Sequence, residues 1–103
     1  MLKTLIASLV LATASVLPAV AQSSPPCFIT GNDVNIRPYP SVTSDLITQW
    51  DNRHYFEGTD TVFANGRLWV ELLVSPINGN GWRVGYVSAA YVNPSCVRSL
   101  NGL

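Results

Sequence analysis

The side chains that could carry chemistry are few and widely spaced. Cys27 and Cys96 are the only thiols, His54 is the only imidazole, and the carboxylates Asp33, Glu57 and Glu71 stand singly along the chain. A cysteine nucleophile would have to take His54 as its base. Against that reading, Cys27 follows Pro25-Pro26 and a second cysteine is present to pair with it. No Cys/His spacing suits zinc, no carboxylate run suits calcium, and no Ser-His-acid arrangement is visible. Folding would have to bring two of Asp33, Glu57 and Glu71 together to make an acid/base pair. The expectation is therefore a non-enzyme with no metal and no cofactor.

Aromatic side chains are the richer resource. The stretch Gly81 to Val92, GWRVGYVSAAYV, holds three aromatics and three valines. Successive side chains in a strand point to opposite faces, so Trp82, Val84 and Tyr86 share one side, and Arg83, Gly85 and Val87 the other. If Val87 faces the core, the Trp-Val-Tyr row faces out, unless a bulge near Gly85 switches the sides. An outward row is an interaction surface; a row covered by a loop or bent inward is core. Both readings stand at this level. Tyr39, between Pro38 and Pro40, sits on a stiff loop where a ring either stacks on a ligand or closes over the core.

These residues need a frame, and the chain is long enough for one small domain. The first 21 of its 103 residues read as a secretory signal: Lys3 is the positive region, Leu5 to Leu17 is apolar or small, and Ala19-Val20-Ala21 has the cleavable A-x-A form. Thirteen residues reach only about 20 Å as a helix, short of a bilayer's roughly 30 Å hydrocarbon layer. No membrane span is expected once the signal is removed, and the location is secreted or periplasmic. In that oxidising compartment Cys27 and Cys96 read as one disulfide. The mature chain keeps five arginines against six acidic residues, a net of −1, with the arginines spread singly. No nucleic-acid partner is implied.

The rest reads as all-β, with turn chemistry every eight to twelve residues. Val34-Asn35-Ile36-Arg37 alternates apolar and polar. Leu46 to Trp50 follows, with Leu46, Thr48 and Trp50 on one face; Asp51-Asn52 is a turn; His54 to Phe63 and Trp69 to Val74 form a hairpin through Asn65-Gly66, whose residue types accept the two positive φ angles of a type I′ turn. Pro76 to Gly81 reads as a loop, and Ser88-Ala89-Ala90 has room for one helical turn at most. Five or six short antiparallel strands in so few residues point to a small, strongly bent barrel.

Val34-Asn35-Ile36-Arg37 with Pro40-Ser41, Leu46 to Trp50, Trp69-Val70-Glu71-Leu72 and Gly85 to Val92 occur in an order and spacing that resemble the bacterial SH3-like domain family. Tyr39, where a small residue is usual, and the long Pro76 to Gly81 loop depart from its pattern. The resemblance covers residues 32–92 and implies an SH3-like barrel, leaving 22–31 as a lead-in with Cys27 and 93–103 as a C-terminal tail with Cys96. It also implies a non-catalytic exported module that recognises cell-wall peptide or glycopeptide, or one that contacts envelope proteins, itself included. Under the first reading the ligand groove is formed by Tyr39, Trp82 and Tyr86; the oligomeric state is left open. Thiol titration of the mature, denatured and unreduced protein is expected to find no free sulfhydryl, and two would remove the staple.

Overall fold

The computed structural model describes residues 25–75 and 81–102. The expected signal, residues 1–21, and all of the 76–81 loop except Gly81 lie outside them. Six antiparallel strands form: β1 (Cys27–Phe28), β2 (Val34–Ile36), β3 (Thr48–Trp50), β4 (Tyr55–Ala64), β5 (Arg67–Val74) and β6 (Arg83–Ser88). A 3₁₀ turn (Ala89–Tyr91) and a helix, α1 (Pro94–Leu100), follow. The all-β expectation holds, as a four-stranded sheet in the order β1-β4-β5-β6 and a two-stranded sheet β2-β3.

The long hairpin is built where two positive φ angles can be accommodated. Asn65 and Gly66 have φ of 52° and 79°, and Ala64 pairs with Arg67, so the connection has only those two residues. The shift of register between Gly58 and Asp60 leaves Thr59 as an extra residue in β4, a bulge that bends the strand. The other turn is made differently from expectation. The left-handed residue after β3 is Arg53, at φ 73°, where Asn52 was the obvious candidate. Its amide donates to the Ile29 carbonyl at 2.8 Å, and its guanidinium lies 5.0 Å from the centre of the Phe28 ring. Contacts to the N-terminal segment thus oppose the local strain.

Alternation puts Val34 and Ile36, Val70, Leu72 and Val74, and Val87 into one core with Ile29, Val92 and the two cysteines. Each such aliphatic side chain contributes about 1.5–3 kcal/mol relative to exposure. Thr48 and Trp50 lie opposite Ile36 and Val34, but Leu46 does not continue their face. It is 47% exposed, while Ile47 packs against the core; the pairing with β2 begins only at Thr48, so the alternation cannot be extended back to Leu46.

The described parts of the segments read as a lead-in and a tail, residues 25–31 and 93–102, belong to the folded unit. β1 pairs with the start of β4, and α1 carries Cys96, disulfide-bonded to Cys27 across a separation of 69 residues. Asn93, almost fully buried, reinforces this junction. Its Oδ1 accepts from the Phe28 amide at 2.8 Å, and its Nδ2 donates to the Pro26 carbonyl at 2.9 Å. At the far end of α1, Thr61 donates to the Asn101 side chain. Gly58 leaves space for the bridge: a Cβ there would stand 3.1 Å from Cys27 Sγ and 2.9 Å from Leu100 Cδ1.

The two sheets meet at β6. The main chains of Arg37 and Tyr86 exchange both hydrogen bonds, at 2.9 and 2.7 Å. One residue away, a Cβ on Gly85 would meet Val74, Ile36 and Ile47 side chains at 3.0, 3.2 and 3.3 Å. Gly85 is therefore the close-approach point of β2, β3, β5 and β6. Replacing it with Ala is expected to cost about 1–3 kcal/mol through overpacking. Gly81→Ala, where nothing lies within 4 Å, is the control and should be close to neutral in chemical denaturation. Equal midpoints for the two variants would show that the sheets do not crowd at Gly85.

Candidate functional site

Two clefts flank β5 and β6, and each is floored by a tryptophan. The larger, about 270 Å³, lies beside the loop from Arg37 to Leu46 and the 3₁₀ turn. Trp69 is its floor, 2% exposed, with its indole N–H donating to the Ala64 carbonyl at 2.9 Å. Tyr91 and Val42 supply further apolar surface, and Arg37, Arg67, Asp33 and Ser88 supply polar groups. The cleft walls are tied together. Arg37 Nη1 donates to the Ser44 carbonyl at 2.6 Å, Asn65 Nδ2 donates to the Pro40 carbonyl at 2.8 Å, and the Asp33 amide donates to the Asp51 carboxylate at 2.9 Å.

The smaller cleft, about 150 Å³, is aromatic. Trp50, His54, Tyr55, Phe56 and Trp82 line it, with Glu57, Leu73 and Ser75 at its edges. The Trp50 and His54 rings are stacked, 4.1 Å apart and 11° from parallel, and the Phe56 ring centre lies 5.7 Å from that of Trp50. Trp82 is 62% exposed. This shelf offers flat apolar faces bordered by a carboxylate and a hydroxyl, a surface on which an apolar face of a sugar ring or peptide can rest while its polar groups reach the rim.

The three residues expected to share a groove are placed in different surroundings. Trp82 and Val84 are exposed and Val87 is fully buried, as outward alternation of the row requires. Tyr86 is half-buried, and its hydroxyl donates to Glu71 Oε2 at 3.0 Å. Tyr39 is 67% exposed on the loop that leaves β2. Of the three, only Trp82 lines either cleft. Reading along one strand found Trp82 but missed Trp50 and His54, which come from the end of β3 and the turn after it. Trp50 packs against the core with one part and lines the shelf with another.

The carboxylates are also apart in role. Asp33 borders the larger cleft and Glu57 the smaller, while Glu71 accepts from both Tyr86 and Thr59 Oγ1, the latter at 2.9 Å. Among the described residues no group of three or more His, Cys, Asp or Glu side chains is placed to hold a metal ion. Both cysteines are consumed in the disulfide, which removes the Cys-His54 nucleophile. The bridge is consistent with an oxidising compartment, and among the described residues no helix is long and apolar enough to cross a membrane. Comparison with known protein families, curated proteins and solved structures finds no match.

The Tyr86 phenol is held above its ordinary value, first by burial, then by its hydrogen bond to Glu71 and that residue's negative charge. The folded state thus retains the phenolic proton longer than the unfolded chain. The associated stability is complete below about pH 10, the unfolded phenol's value, and is lost as pH rises through the raised one. Phenolate absorbance should show one of the four tyrosines ionising late. Tyr86→Phe should remove that step and Glu71→Gln should lower it; a late step that survives Tyr86→Phe would assign the effect elsewhere.

Proposed function

We propose that this chain is an exported, non-catalytic binding module that holds cell-wall peptide or glycopeptide on the aromatic shelf of Trp50, His54 and Trp82. The observation that carries this reading is the exposure of Trp82 beside a stacked Trp-His pair. A large ring left in water beside other rings forms a contiguous apolar surface, and such surfaces in small domains are interaction sites more often than accidents. The cell-wall class comes from the resemblance to the bacterial SH3-like family. The disulfide and the leader at residues 1–21 support export. Tyr39 and Tyr86 remain secondary contacts in this reading, Tyr86 through its ring edge because its hydroxyl is engaged by Glu71.

The other use of the same surface is contact with an envelope protein or a second copy of the chain. The exposed Val84, paired with Leu73 at the border of the shelf, favours it. Sedimentation with purified cell wall separates the two. Retention by the wall that falls about tenfold or more in Trp82→Ala, with the far-UV spectrum unchanged, supports ligand binding. No retention, or retention indifferent to Trp82, overturns it; a concentration-dependent dimer that Trp82→Ala dissociates would establish the protein contact in its place.

A further inference from the structure

The larger cleft is unused by the aromatic shelf and has a chemistry of its own. Two guanidinium groups line it, in a chain whose mature charge is close to zero, and no carboxylate hydrogen-bonds either of them among the described residues. Both are held before any ligand arrives. Arg37 spends one of its five N–H donors on the Ser44 carbonyl, which leaves the rest of the fork free. Arg67 lies over the Trp69 ring, its Cζ 5.7 Å from the centroid. Positioned guanidinium groups lose little freedom on forming paired hydrogen bonds with a planar anion.

A second observation points into the same cleft. Ser88 lines it and is only 6% exposed. Its oxygen accepts from the Ala90 amide at 3.4 Å, but its hydroxyl proton has no acceptor among the described residues. A buried donor without an acceptor is costly, and its position makes a ligand oxygen the natural partner. The apolar walls are complementary in a different way. Trp69 is almost fully buried, with its N–H given to Ala64, and the exposed Tyr91 and Val42 supply the apolar surface above it.

From these features we infer that the cleft holds the free C-terminal carboxylate of a short peptide. The carboxylate meets Arg37, Arg67 and the Ser88 hydroxyl, and a small apolar terminal side chain rests on Tyr91 and Val42. Asp33, on the same cleft, accepts an amide N–H of the ligand. Its negative charge also disfavours a dianion such as phosphate, whereas a singly charged carboxylate is tolerated. The volume of about 270 Å³ is at the small end of ligand pockets, which fits the last one or two residues of a peptide better than a longer segment. The inference is independent of the aromatic shelf.

Amide chemical shifts of the folded protein, followed by NMR during titration with N-acetyl-alanyl-alanine, its C-terminal amide and free alanine, provide the test. The free acid should perturb Asn32 to Arg37, Arg67 to Trp69 and Ser88. The amide should bind about tenfold more weakly or worse, since it loses the charge that the guanidinium forks recognise. Arg67→Gln, at an exposed position, should weaken the acid by a similar factor and leave the fold intact, and Trp82→Ala should leave acid binding unchanged. Arg37→Gln carries a folding risk because Arg37 braces the loop at Ser44, so Arg67→Gln is the deciding variant. Equal binding of acid and amide, perturbations centred on Trp82, or indifference to Arg67→Gln would overturn the carboxylate site. Free alanine binding as tightly as the acetylated dipeptide would overturn its assignment to a peptide end.

Discussion

The structure depends on fastening its two chain ends to each other. β1 has two residues and α1 has seven, neither long enough to persist alone. The Cys27–Cys96 bridge and the buried Asn93 hold them together, one covalently and the other through hydrogen bonds in both directions with the Pro26–Phe28 segment. In the chain-entropy description, closing a loop of about 70 residues stabilises the fold by roughly 4 kcal/mol. For a domain this small, that is comparable with much of the net stability. The fastening also reaches the aromatic shelf. Ile29, two residues beyond Cys27, donates to the His54 carbonyl and accepts from the Arg53 amide. The turn that presents His54 to Trp50 is thereby fixed to the stapled end.

A second junction, at Gly85 and Tyr86, sets the relation of the two clefts. Tyr86 joins the sheets through its main chain, and its side chain is spent on Glu71 of the adjacent β5. The same strand therefore begins at the shelf with Trp82 and ends at the polar cleft with Ser88. β5 does likewise in reverse, from Arg67 and Trp69 at the polar cleft to Leu73 at the shelf. Two clefts thus share one pair of strands without sharing a side chain. Ligands at both would be held at a constant separation.

Much of the β framework was legible because it follows from local rules. Asn65-Gly66 is a hairpin because few other residue pairs accept two positive φ angles, and Val87 is core because the alternation from Trp82 leaves it no other side. The failures have equally local causes. α1 carries no side-chain cap and is too short for helical periodicity to register; its one cue was Pro94 immediately after Asn93, the usual place for a proline in a first turn. Arg53 takes the left-handed position through contacts with Phe28 and Ile29, which are far away in sequence. The candidate sites were less legible still. Trp50 with Trp82, and Arg37 with Arg67, are about 30 residues apart in each pair, and only strand order brings them to one cleft.

Trp69 and Trp82 show why residue type alone could not separate core from surface. Both stand in or beside strands of the same sheet, Trp69 between Leu68 and Val70 and Trp82 between Gly81 and Arg83. Trp69 has a carbonyl for its N–H, an arginine over its ring and almost no exposure, so its burial is complete on the chain's own terms. Trp82 has most of its surface in water, next to rings that already stack on one another. Covering it would add apolar burial worth up to about 2 kcal/mol, and no strand or helix among the described residues provides the cover. That unsatisfied gain is available to a ligand or a partner, and it is the physical ground of the binding role proposed for these residues.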